Sequence, residues 1–209
     1  MLAALAGLAI AGCRLATAAQ SDPPTHIRTI DPDAEWSEIK SSRAAGRSGT
    51  FVLELRPTLE RSALWGSQDL EAVKVRVLPY ASNFWEELST LLRWRYEAGP
   101  YDPAKGRDAP QLVADGLARY RKALVAGGLE DAAQDLIIEP GRRVSLALAA
   151  GDYLVLSEAE CCSAPIHKVW VWLIRTRLDP DATAVVVLED ANRLCLDAWT
   201  RNGTRCRDR

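Results

Sequence analysis

The sequence predicts a mainly β domain, an antiparallel β-sandwich carrying a helical insertion. Three observations predict it. The C-terminal third is a run of short apolar segments separated by tight turns, with no helix between them. Two earlier segments, residues 50–56 and 73–77, also read as strands. Between these and the C-terminal strands, residues 82–128 carry apolar residues at helical spacing.

In chain order, Asp31-Pro32-Asp33 opens a short helical segment with Trp36, Ile39 and Arg43 at helical spacing, and Gly46 ends it. Residues 50–56 form a strand bounded by Pro57. Residues 57–68 read as a loop. Val73, Val75 and Val77 alternate with Lys74 and Arg76, the pattern of a half-buried strand. Ser82-Asn83 can cap a helix with Glu86 and Glu87 in its first turn, and Phe84, Leu88, Leu91 and Leu92 make its apolar face. Residues 97–109 are rich in Gly, Pro and charge and read as a loop. A second helix is expected to start at Asp108-Ala109-Pro110 and stop at Gly127-Gly128. Strands follow at 136–139, 144–148, 153–156, 169–174 and 184–188, with a last one around Leu194–Leu196. The continuous apolar run 169–174 predicts a central strand covered on both faces.

The chain has 209 residues, 48% hydrophobic and 26% charged, with a net charge of -2. That length suits one domain. Nucleic-acid binders carry a basic patch, and this balance offers none, so no nucleic-acid partner is expected. Residues 1–12 carry no charge and are almost wholly apolar. The run is too short to span a bilayer, which needs about 20 residues. It fits the apolar part of an export signal. It ends in Ile10-Ala11-Gly12-Cys13, which resembles the bacterial lipobox: an aliphatic residue, two small residues and the acceptor cysteine. Cys13 is therefore expected to be lipidated, with residues 13–30 as a tether and 31–209 as the folded domain. Acyl chains add about 0.8 kcal/mol per buried CH2, so such an anchor is stable. Arg14 follows the cysteine where an inner-membrane protein resembling this pattern would carry Asp, which points to the periplasmic face of the outer membrane. No Lys or Arg precedes the apolar run, which leaves open whether the true start lies upstream of Met1. Ala16-Thr17-Ala18 suits ordinary signal peptidase instead, and would make the protein secreted or soluble in the periplasm.

With Cys13 lipidated, Cys161, Cys162, Cys195 and Cys206 remain, an even number suited to disulfides in an oxidising compartment. A bond between the neighbours Cys161 and Cys162 is strained, which favours the two cross-pairings that tie residues 161–162 to the C-terminal segment. Free thiols and a metal site with His167 are the alternatives. The spacing matches no C-x2-C pattern, so no metal is expected. No cofactor is expected either.

With only His26 and His167 in the chain, and no nucleophile elbow, dinucleotide fingerprint, phosphate loop or zinc-protease motif, no catalytic centre is expected. A pair of carboxylates acting as a hydrolase is the weakest alternative. Trp170 and Trp172 share one strand face and read as core rather than as a ligand platform. The connector 57–68 is the candidate partner-binding part: Leu59, Leu64 and Trp65 stand among polar residues that include Arg61. It could equally fold back on its own sheet.

The order of features resembles the TssJ-type outer-membrane lipoproteins of type VI secretion systems. The residues that carry the likeness are the lipobox Ile10–Cys13, the strand Phe51–Leu55, the stretch Val73–Tyr80 followed by Phe84–Leu88, and the Pro140-Gly141 turn with Leu146, Leu148 and Tyr153 beyond it. The chain departs from the family where Arg56-Pro57-Thr58-Leu59 replaces its usual Asn-Pro-Asp. The resemblance implies a transthyretin-like fold, a structural role in anchoring a secretion membrane complex to the outer membrane, and contact between the connector and the inner-membrane partner TssM. The expected function is thus a lipid-anchored, non-catalytic interaction protein. The alternative is a periplasmic or surface binding module or inhibitor.

Overall fold

The computed structural model describes residues 30–56, 60–62, 66–68, 72–97, 103–161 and 168–189, with side chains described for 30–56, 72–92, 111–158 and 171–189. Among the described residues, nine strands and four α-helices run in the order α1 (Pro32–Glu35), α2 (Ser37–Ala44), β1 (Ser48–Leu55), β2 (Glu60–Ser62), β3 (Gly66–Gln68), β4 (Val73–Pro79), α3 (Ser82–Glu97), α4 (Pro103–Ala126), β5 (Gln134–Ile138), β6 (Arg143–Ala149), β7 (Gly151–Cys161), β8 (Lys168–Leu178) and β9 (Thr183–Leu188). The fold is mainly β with a helical insertion, and its two large sheets stack as a sandwich. One sheet has the order β6-β1-β9, the other β5-β4-β7-β8. All neighbours are antiparallel except β1 and β9, which are parallel.

Strand alternation builds the core. Phe51, Leu53 and Leu55 of β1 are fully buried, and the residues between them reach the outer surface. Across the sandwich, Tyr153 of β7 meets Phe51 edge-on, with ring centroids 5.9 Å apart. Val155 and Ser157 share the Tyr153 face, and so by register do Val77, Val75 and Trp172. Ser157 is a buried polar residue whose hydroxyl donates to the Lys74 carbonyl at 3.0 Å. That bond meets the requirement that a buried donor be paired.

The other face of the four-stranded sheet is buried too. Leu78, Leu154, Leu156, Val171 and Leu173 alternate with the inner set and are closed off from water. The helical insertion lies on this side. Arg121 of α4 bonds Asp135 at 2.7 Å, and Asp135 stands opposite Arg76 on the outer face. Phe84 of α3 stacks on Tyr120 of α4 at 4.0 Å, and the buried Tyr120 hydroxyl donates to the Pro79 carbonyl. The molecule is therefore sheet, sheet and helices in three layers. Burial holds the Tyr120 phenol well above its ordinary pKa.

The structure differs from the sequence reading at five places. The helical segment after Asp31 breaks at Trp36, whose buried indole N–H donates to the Tyr80 carbonyl at 3.1 Å. The connector is no simple loop, because β2 and β3 pair antiparallel within it. Helix α4 begins at Pro103, not at residues 108–110. Pro103 supplies a preset φ at the first helical position, where its missing N–H costs nothing, and the helix continues through Pro110. The run 169–174 includes Val171, Trp172 and Leu173, all buried, so β8 is covered on both faces as expected. It is nevertheless the edge of its sheet, and the central strand buried on both faces is β7. Finally, β9 joins β1 in parallel, because the turn after β8 carries the chain across to the other sheet.

Candidate partner-binding pole

Following strand directions shows what gathers at each end of the sandwich. β1 and β9 both run towards Leu55 and Leu188. β4 starts at that end, because Val73 pairs with Ile138, and the β5–β6 turn follows at residues 139–142. β7 ends and β8 begins there as well, at the Cys161–Lys168 rung. The connector leaves β1 and enters β4 at this same pole.

Both feet of the connector are fixed. The Arg56 N–H donates to the Leu188 carbonyl at 3.1 Å, and its guanidinium reaches Glu189 at 3.2 Å and Glu54 at 3.5 Å. Arg143 bonds Glu54 from the other side at 2.9 Å. The Leu55 carbonyl accepts from the Gly141 N–H at 2.8 Å. Gly141 stands at φ 74°, a conformation a side chain would strain, so the Pro140-Gly141 turn requires glycine there. The second foot is Val73, buried against the core. Between the feet, Glu60 stands opposite Gln68, Arg61 opposite Ser67 and Ser62 opposite Gly66. This hairpin is a two-stranded sheet of its own, joined by the strand ladder to neither large sheet.

Arg61 thus falls on β2. Leu59, Leu64 and Trp65 lie outside the described residues, as do Cys13, Cys162, His167, Cys195, Cys206 and the expected strand at 194–196. Cys161 is the last residue of β7. Glu189 stands at the same pole: the indole N–H of the fully buried Trp172 donates to its carbonyl at 3.0 Å. Trp172 therefore belongs to the core, and its polar edge holds Glu189 at this pole.

The opposite pole receives the N-terminal end of the domain. Here α1 packs by β4's end through Trp36 and Tyr80. Arg175 lies 4.1 Å above the Tyr80 ring and 2.5 Å from Asp152, whose hydrogen bond holds the guanidinium above its ordinary pKa. Arg177 bonds Glu38 and also contacts Asp152 at 3.6 Å and Asp179 at 3.0 Å.

Among the described residues, no helix is long and apolar enough to cross a membrane, and no group of three or more His, Cys, Asp or Glu is placed to hold a metal ion. Among the described side chains at the connector pole, Arg56, Arg142 and Arg143 pair with Glu54, Glu139 and Glu189.

Sequence reasoning missed the convergence of the connector's ends, Cys161 and Glu189 on one pole. Counting strand reversals along the antiparallel sheet places Val73 and Cys161 together. The parallel β1–β9 pairing, which brings Leu55 and Glu189 to the same place, leaves no local signal.

No family model matches the chain, and no curated protein matches it. Among solved structures, a Pseudomonas aeruginosa protein described provisionally as a carbohydrate binding protein aligns with 80% of this chain and 99% of its own, at 13% identity and a TM-score of 0.39. A likeness of that size carries no argument about function.

Proposed function

We propose that this is a lipid-anchored, non-catalytic interaction protein, tethered through Cys13 and presenting the connector 57–68 to a protein partner. The observation that supports it is the polarity of the fold. Helix α1, which follows the tether in the chain, lies at one pole, and the strand ends that flank the connector lie at the other, bonded into the sandwich. A tether of residues 13–30 can extend to roughly 55 Å, enough to hold the domain clear of a bilayer surface. A rigid sandwich lowers the ordering cost of binding, because the frame behind the hairpin is already set. The resemblance to TssJ-type lipoproteins makes this reading specific: an outer-membrane anchor on the periplasmic side, with Leu59, Arg61, Leu64 and Trp65 contacting the inner-membrane component TssM.

The test has two arms. Mass spectrometry of the membrane fraction is expected to find Cys13 acylated. Pull-down of the periplasmic part of TssM is expected to be lost when Leu64 and Trp65 are both changed to Ala, with thermal unfolding unchanged. An unmodified Cys13 thiol overturns the anchor. Undiminished binding by the double variant overturns the connector as the contact.

A further inference from the structure

We infer that the free edge of β5 is a docking site for an extended acidic segment of a protein partner, which joins the four-stranded sheet as a further strand. Two independent observations meet there. The first is backbone chemistry. The Tyr80 N–H donates to the Asp152 carbonyl at 2.9 Å, and the Lys74 carbonyl accepts from the Ser157 hydroxyl, so these alternate residues of β4 turn their backbone groups towards β7. Direction alternates along an antiparallel ladder, so Val73, Val75 and Val77 face β5 instead. Their partners there are Ile138, Leu136 and Gln134. Asp135 and Ile137 therefore point their N–H and C=O groups away from β4, to the side where no described strand pairs with β5. The Ile137 side chain is 73% exposed, the most exposed large apolar group among the described residues.

The second observation is charge. The Asp135 carboxylate takes Arg121 at 2.7 Å, Lys74 at 3.2 Å and Arg76 at 3.9 Å. Among the described residues, these cations have no other carboxylate within ion-pair reach. Two positive charges are thus left in excess beside the edge, in a chain whose net charge is -2. Arg121 and Lys74 are about half-exposed and meet the same Asp135 oxygen, so both charged heads lie over β5.

A strand added at this edge lies about 4.8 Å further out. Backbone bonds to Asp135 and Ile137 set its register, and carboxylates on its helix-facing side come within reach of Arg121 and Lys74. Strand pairing favours a protein segment over a nucleic acid, because a phosphodiester chain has no N–H to give the two edge carbonyls.

The experiment titrates the purified full chain, at low salt, with an acetylated and amidated peptide that alternates valine and glutamate. Binding is expected, with slower amide hydrogen exchange at Asp135 and Ile137. The Lys74→Gln/Arg121→Gln variant is expected to bind about fivefold more weakly, within what exposed ion pairs contribute. Asp135→Asn is expected to bind about twofold more tightly although its fold is less stable, because the competing carboxylate is gone. Ile137→Pro removes an outward N–H and no rung to β4, so it should fold and lose most of the affinity. No binding, unchanged exchange at the edge, equal affinity in the double variant, or equal or tighter binding of a valine–lysine peptide or a single-stranded oligothymidylate would overturn the inference. The residues involved belong to neither connector nor tether, so a failed TssM pull-down or an unmodified Cys13 sinks the proposed function and leaves this surface standing.

Discussion

The carboxylate of Glu35 caps a helix that begins far along the chain: its oxygens accept from the Ser82 backbone N–H at 2.9 Å and from the Ser82 hydroxyl at 2.8 Å. The Ala81 carbonyl accepts the first bond of α3, from the Trp85 N–H, so Ala81 stands where a capping side chain usually sits and has none to offer. Glu35 supplies the missing acceptor, and its charge faces the positive end of the helix dipole. Trp36, the next residue, bonds Tyr80, so one short helix ties the N-terminal pole to both β4 and α3.

Glu35→Ala is therefore expected to cost about 1–2 kcal/mol, the range for loss of a helix cap. Ser82→Ala removes the hydroxyl and keeps the N–H bond, so it should cost less. Urea unfolding with an unchanged m-value checks both. A Glu35→Ala protein as stable as the parent would show that the cap contributes nothing.

Two carboxylates should give opposite pH responses. Burial raises Asp135, but hydrogen bonds from Arg121 and Lys74, with their charges, outweigh it and hold the carboxyl below its ordinary 3.8. Its contribution is present above pH 3.8 and is lost as pH falls through the folded value. Asp135→Asn should thus destabilise at neutral pH, and the difference should close under acid.

Glu87 behaves in reverse. Burial between α3 and α4 raises it above 4.5, and Arg119, 3.4 Å away, lowers it only in part. Its neutral form favours the fold, so that stability is fully present below pH 4.5 and lost as pH rises through the folded value. Glu87→Gln should match or exceed the parent at pH 7 and lose its advantage below pH 4.5. Thermal melts from pH 3 to 7 on both variants decide the signs.

A Cβ at Gly49 would lie 2.8 Å from the Ala182 carbonyl, the Asp179 carbonyl and a Leu178 methyl. Two of these are backbone atoms of the turn that carries the chain from β8 to β9, so they cannot swing away. Gly49→Ala is expected to cost about 1–3 kcal/mol, as overpacking does, and to lower Tm by several degrees in calorimetry. An unchanged Tm would mean that the turn yields freely.

Much of the architecture was legible in the residues. Phe51, Leu53 and Leu55 announce β1 by alternation, and Phe84, Leu88, Leu91 and Leu92 announce α3 by helical spacing, because one buried face leaves a periodic trace. Residues buried on two faces leave no period, so β8 read as central although it is an edge. The cap on α3 was sought at Ser82 and Asn83, since a local rule looks for a local acceptor. The connector with Arg61 and the strand end at Cys161 stand far apart in the chain, with no local signal to join them.

The sequence by itself determined the type and order of the elements, since hydrophobic period, turn residues and helix starts act over a few neighbours. Tertiary structure alone decided that β1 takes β9 as a parallel partner, that Glu35 serves Ser82, and that connector, Cys161 and Glu189 share one pole. Each of those depends on which sheet a strand joins and which way it points. That choice is made by burying whole faces against one another, a free energy spread over the entire core and written at no single position.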